Sequence, residues 1–191
     1  MNLKLLQNFK QMKKLLLLVF LFLSGSIFAQ KYYTKTGRTE FKASVEAFEP
    51  VGANNNSTTA LIDIKTGNIA SLLFIKAFNF RVALMQEHFN ENYMESNKFP
   101  KATFKGKIVG FNFSEISGSK EYTIKGTLTV RGVTKEIETL GTFTIQGEKL
   151  LMKASFGVKP EDFDIKIPKI VSKKIAGTIN ISLDYEFIEK K

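Results

Sequence analysis

The chain has 191 residues, with 28 Lys and Arg against 18 Asp and Glu, one His, no Cys and no Trp. The absence of cysteine excludes a disulfide scaffold, a thiolate zinc site, an iron–sulfur cluster, a cysteine nucleophile and a lipid-modified bacterial N-terminus. A single histidine excludes two-histidine metal motifs and leaves any serine–histidine catalysis dependent on His88, while 24% charged and 43% hydrophobic residues make a globular composition.

Met12-Lys13-Lys14 is followed by an unbroken apolar run from Leu15 to Leu23 and then by Ser24 to Ala29. A basic start, a short apolar stretch and a small residue before Gln30 predict a secretory signal over residues 1–29, cleaved near Ala29–Gln30. The run is shorter than the roughly 20 apolar residues of a membrane-spanning helix. Met12 opens a complete signal by itself, so the true start can lie there. The expected product is one domain, residues 30–191, periplasmic or secreted. Loss of the leader's four lysines takes the net charge from +10 to +6. The remaining lysines are scattered among acids, so no nucleic-acid partner is expected.

Alternation dominates the rest. Strands are predicted at about 38–48, 59–66 and 68–80, separated by turn signals at Pro50 to Ser57, with an Asn54-Asn55-Asn56 tip, and at Thr66-Gly67-Asn68. From Val82 to Ser96 the period changes: Val82, Met85, Phe89 and Tyr93 recur at spacings of three and four. This predicts an amphipathic helix of about four turns, over about 82–96, ended before Phe99-Pro100. Strands resume at about 102–113 and 121–131, where Tyr122, Ile124, Leu128 and Val130 share one face. Others follow at 136–146 and at 149–158, with Leu150, Met152, Ala154, Phe156 and Val158 in phase. The last is the longest: Ile175, Gly177, Ile179, Ile181, Leu183, Tyr185 and Phe187 fall on one side, and Thr178, Asn180, Ser182, Asp184 and Glu186 on the other. The fold class is therefore all-β. About eight antiparallel strands is the number at which a closed barrel holds packed side chains or one small ligand.

Three blocks carry a resemblance. The first is Ala83-Leu84-Met85-Gln86-Glu87-His88-Phe89 with Tyr93-Met94 and Lys98-Phe99-Pro100-Lys101-Ala102-Thr103-Phe104. The second is Gly126-Thr127-Leu128-Thr129-Val130-Arg131-Gly132-Val133-Thr134-Lys135, and the third is Pro160-Glu161-Asp162-Phe163-Asp164-Ile165. In order and spacing the chain resembles the YceI-like family of periplasmic lipid-binding proteins, in a Bacteroidetes-like form. The resemblance implies an extended, lipocalin-like eight-stranded barrel with a helix beside its mouth. It also implies an apolar lumen holding an isoprenoid-type lipid of the quinone or prenyl phosphate class, in transport or storage and without catalysis. The family's early strand often carries a Ser and a His; Thr39-Glu40-Phe41-Lys42-Ala43 offers neither.

An isoprenoid tail gains about 0.8 kcal/mol per buried CH₂, so its carrier must supply matching apolar area. Fourteen of the 18 phenylalanines and all five tyrosines follow the leader, and such rings offer wide surfaces with few rotatable bonds. By phase, the lumen candidates are Leu128, Val130, Ile179, Ile181, Leu183 and Tyr185 from strands, with Met85, Phe89 and Tyr93 from the helix. Head-group candidates are His88, beside Glu87, and Lys166 and Lys169 of a lysine group that includes Lys173 and Lys174. No catalytic or metal-binding set assembles: paired acids such as Asp162 and Asp164 are sequence neighbours, not carboxylates facing across a cleft. No cofactor is expected beyond a bound lipid. Two alternatives share the pattern, a small outer-membrane barrel and a packed, ligand-free barrel acting as a stress or protein-interaction module. Transient contact with a membrane surface and pairing as a homodimer are both compatible with the sequence.

Overall fold

Period-two alternation in long strands builds a single closed sheet. The computed structural model describes residues 31–45 and 50–190; the signal-sequence reading of residues 1–29 lies outside the described residues. The elements are β1 (Lys31–Ser44), β2 (Gly52–Asp63), β3 (Asn68–Phe74), β4 (Asn79–Phe80), α1 (Ala83–His88), β5 (Lys101–Ile108), β6 (Ser119–Val130), β7 (Val133–Gln146), β8 (Lys149–Val158), α2 (Lys169–Ser172) and β9 (Ile175–Glu189). The hydrogen-bonded order is β1-β9-β8-β7-β6-β5-β3-β2, and β1 also pairs with β2, so eight antiparallel strands close into a barrel. Closure leaves no long edge to template aggregation. The ninth strand, β4, pairs with Ala53 and Asn54 of β2 and continues the β3 edge past a 3₁₀ turn at Ile75–Ala77.

The two ends of the barrel differ. In one half the inward side chains fill the lumen: Phe143, Phe187, Leu150, Met152, Ile62 and Ile108 are fully buried. Phe143 packs edge-on against Tyr122 and Phe111, with ring centroids 5.8 Å and 5.5 Å apart. Each such side chain contributes roughly 1.5–3 kcal/mol of burial, and this half is the permanent core. The opposite end carries the helical segments. There β1, β3, β6 and β8 finish and β2, β5, β7 and β9 begin, so residues 75–100, 131–132 and 159–174 all gather at one mouth.

Several boundaries depart from the sequence reading. The asparagine tip lies inside β2, because Asn55 is buried and makes its own partners. Its Nδ2 donates to the Phe74 carbonyl at 3.1 Å, and its Oδ1 accepts from the Ser57 amide at 2.8 Å. The strand expected at 68–80 breaks after Phe74, and the one expected at 102–113 stops at Ile108, before Gly110 at φ +64° and a 3₁₀ turn at Phe113–Glu115. The helix is shorter than 82–96. Val82 is extended (φ −118°), α1 runs from Ala83 to His88, and a wider turn of π type continues from Phe89 to Tyr93. The outward faces of the barrel carry cross-strand ion pairs, Lys125 to Glu138 at 3.1 Å, Lys149 to Glu186 at 2.6 Å and Lys153 to Asp184 at 3.5 Å. An outer-membrane barrel presents an apolar band there, so this wall faces water.

Candidate functional site

The mouth half of the barrel encloses a cavity of about 450 Å³, within the range of sites that hold one small molecule. Its walls come from the inward phase of the strands: Phe41 of β1, Leu73 of β3, Phe104 of β5, Leu128 and Val130 of β6, Phe156 and Val158 of β8, and Ile179, Ile181 and Leu183 of β9. Its roof comes from α1 and the turn after it, through Met85, His88, Phe89 and Tyr93, and from the 159–174 segment, through Phe163, Ile165, Ile167, Val171 and Lys174.

Phe89 ties the roof to the wall. Its ring stacks on Phe41 at 5.3 Å with an interplanar angle of 19°, and meets Phe78 at 5.6 Å and Phe80 at 5.0 Å. Such pairs add about 0.5–1.5 kcal/mol each beyond area burial. A second device shapes the wall below. Gly106 and Gly126 face each other across β5 and β6. A Cβ on Gly126 would lie 2.3 Å from the Lys105 carbonyl oxygen and 2.7 Å from the Phe104 ring. The missing side chains let that ring fold across the sheet.

The floor is polar but uncharged. Thr39 Oγ1 lies 2.9 Å from Thr58 Oγ1 and 2.9 Å from the Tyr185 hydroxyl. Thr39, Thr58 and Tyr185 are buried, and Thr39, Ser71 and Tyr185 line the cavity. Gly37 makes room for the Tyr185 ring, since a Cβ there would meet Cδ1 at 2.7 Å. Burial pushes the Tyr185 hydroxyl above its ordinary pKa, against lowering hydrogen bonds from Thr39, Thr58 and Ser71, so it stays a protonated donor. The ionisable side chains capable of positive charge along the lining, His88 and Lys174, belong to the roof. The site thus combines an apolar tunnel, neutral hydroxyls at depth and, at the entrance, the Lys174 ammonium and the His88 imidazole.

All nine lumen candidates, Met85, Phe89, Tyr93, Leu128, Val130, Ile179, Ile181, Leu183 and Tyr185, line this cavity, and His88 lines it too. Lys166 and Lys169 do not. Ile165, Ile167 and Val171 take the inward positions of their segment, which leaves Lys166 and Lys169 exposed and makes Lys174 the lysine at the lining. Phe41 and Phe104 were legible by phase yet absent from the candidates, and Phe163 and Ile165 sit in a segment with no period to read.

Arg131 also escaped. From the tight turn between β6 and β7 it pairs with the Glu95 carboxylate, donates through Nη1 to the Asp164 carbonyl at 2.6 Å, and lies over the Phe99 ring at 5.7 Å. Glu95, Arg131 and Asp164 have φ of 46°, 51° and 55°, and among the described residues they are the non-glycine residues in the left-handed region. Strained backbone at one spot persists only where the surroundings over-determine it. Here it clasps together the segments that roof the cavity.

The YceI-like domain model matches residues 26–187. Among solved structures, the chain is similar to a polyisoprenoid binding domain from Saccharophagus degradans implicated in plant cell wall breakdown. That match has a TM-score of 0.70 at 11% identity and covers 85% of this chain and 99% of that one. It is also similar to BcnA of Burkholderia cenocepacia, with a TM-score of 0.66 at 14% identity over 78% and 95% of the two chains. The Campylobacter jejuni YCEI protein gives a TM-score of 0.60 at 19% identity over 75% and 87%. No curated protein matches the chain.

Proposed function

The chain belongs to the YceI-like family, and from that membership and its one-ended apolar cavity we propose that it is a carrier that holds one amphiphilic isoprenoid-type lipid, of the quinone or prenyl phosphate class, and does no chemistry on it. The observation that carries the reading is the cavity itself. It is walled by strand residues in the apolar phase, closed below by a packed core and roofed by segments with aromatic and cationic side chains. A branched hydrocarbon chain gains from every CH₂ it hides there, and the wall is already shaped, so little ordering opposes binding. The basic start and apolar run before Gln30 support export, with the protein acting outside the cytoplasm in transport or storage.

Native mass spectrometry of the protein purified from the periplasm of an expressing bacterium tests this, with organic extraction of whatever is released. A stoichiometric lipid is the expected result. A protein that carries no lipid and also fails to take up added long-chain quinone and prenyl phosphate would refute it.

A further inference from the structure

We propose that the mouth end of the barrel, centred on α2, is a docking face for an anionic phospholipid surface. The proposal rests on the reading of the cavity as a lipid site, and it adds where and how that lipid enters.

Large apolar side chains are not exposed evenly. Of the eight that stand out among the described residues, Val45, Phe74, Val82, Leu84 and Ile170 lie at the mouth end. Ile170 is 89% exposed and Leu84 58%, and they sit on the two helices that roof the cavity. On α2 the sides are sorted: Val171, with Lys174 just beyond the helix, turns to the cavity, while Ile170 turns to solvent. Lys169 and Lys173, four apart, share one exposed flank. From Lys166 to Lys174 there are four lysines and no acid. The acids Glu161, Asp162 and Asp164 lie on the preceding turn, Glu87 and Glu91 on the α1 side, and Glu95 is paired with Arg131, so the 166–174 segment around Ile170 is itself purely basic.

A bare isoleucine ringed by lysines suits a surface that is apolar just below a layer of negative charge. A bilayer containing anionic lipid is such a surface, attracting lysines over about a Debye length and receiving an inserted apolar side chain. With α2 against the bilayer, the mouth meets the headgroup layer, and a lipid moves between membrane and lumen without its tail crossing water.

Co-sedimentation of the wild-type protein with phosphatidylcholine vesicles and with mixed phosphatidylglycerol–phosphatidylcholine vesicles tests the face. Binding to the mixed vesicles alone, weakened by salt, is expected. At about fivefold per lysine, Lys169→Glu with Lys173→Glu should reduce partition by at least tenfold. Ile170→Ser should also reduce it, while Lys65→Glu at the closed end should leave it unchanged. Thermal melts of each variant separate lost docking from lost folding. Failure of the wild type to sediment with either vesicle overturns the proposal and leaves the face to a protein partner. Equal weakening by Lys65→Glu overturns it too, because the attraction would then be a property of net charge. Native mass spectrometry of preloaded protein keeps the two readings apart: docking variants should retain bound lipid, whereas a protein that docks but never holds lipid would refute the carrier and spare the docking face.

Discussion

Arg131 offers the sharpest quantitative test, because one substitution removes the clasp and another removes the clasp and its backbone strain together. In Arg131→Ala the Glu95 ion pair is lost; with both partners partly exposed it contributes at most about 1 kcal/mol. The hydrogen bond from the guanidinium to the Asp164 carbonyl, 2.6 Å long, contributes about 1.5 kcal/mol as a charged donor. The contact over Phe99 adds about 0.5 kcal/mol. Allowing for water to replace part of this, the alanine variant should lose about 2 kcal/mol, or roughly 4–8 °C in melting temperature for a domain of this size. Arg131→Gly loses the same contacts but relieves a φ of 51°, which returns about 0.5–1 kcal/mol after glycine's greater unfolded freedom is subtracted. Glycine should therefore melt above alanine, and both below the wild type. Amide exchange in residues 83–96 and 159–174 should quicken in both variants, while β8 and β9 stay protected near the closed end. If alanine and glycine melt together within about 0.5 kcal/mol of the wild type, the clasp carries nothing and the roof is held by the aromatic contacts alone.

Leu128→Arg and Ile181→Arg put a cation into the apolar lumen and should abolish lipid retention in native mass spectrometry. Lys125→Glu, which only breaks an exposed ion pair with Glu138, should retain it. Tyr185→Phe should cost about 1 kcal/mol by removing one member of the buried hydroxyl chain. It should also change the alkaline limb. Because the folded pKa of Tyr185 is raised above 10.0, its contribution is complete below that pH and is lost as pH rises through the folded value. Denaturation midpoints from about pH 8 to about pH 11 should then fall less steeply in the phenylalanine variant. Gly126→Ala forces a Cβ to 2.3 Å from a carbonyl oxygen and should cost more than about 3 kcal/mol. Gly177→Ala, with open space around it, should be neutral or slightly stabilising in the same melt.

Period-two alternation made the strand faces legible, since a one-residue slip would turn Ile179, Ile181 and Leu183 outward and Asn180, Ser182 and Asp184 inward. The turn signal misled at Asn54-Asn55-Asn56, whose turn chemistry is local but whose pairing with β1 and hydrogen bond to Phe74 come from far along the chain. The helix was legible by its stripe and misjudged at its ends, because Glu95 is fixed by Arg131 from another hairpin. Lys166 and Lys169 belong to a lysine group between two strands, together with Lys173 and Lys174. Which lysine reaches the lining depends on Ile165, Ile167 and Val171 turning inward, and no repeating pattern in residues 159–174 encodes that.

Why the barrel is hollow at one end and solid at the other is a matter of volume, which phase alone does not report. In the closed half the inward layers carry Phe143, Leu150, Met152, Phe187 and Tyr122, enough ring and chain to fill the lumen. In the mouth half several inward positions are short: Thr39, Ser71, Ala102 and Thr139 line the cavity beside the larger residues. An eight-stranded barrel has one nearly constant width, so replacing large side chains by short ones around the ring opens space that nothing else in the wall can close. Among the aromatic residues of that half, Phe41 and Phe89 stack on each other and the Phe104 ring folds across the glycine pair. Large-for-small replacement at Ser71 and Thr139 should therefore shrink the cavity and shut out ligand while leaving the packed half intact. The same barrel would then become the ligand-free module that its strand pattern equally allows.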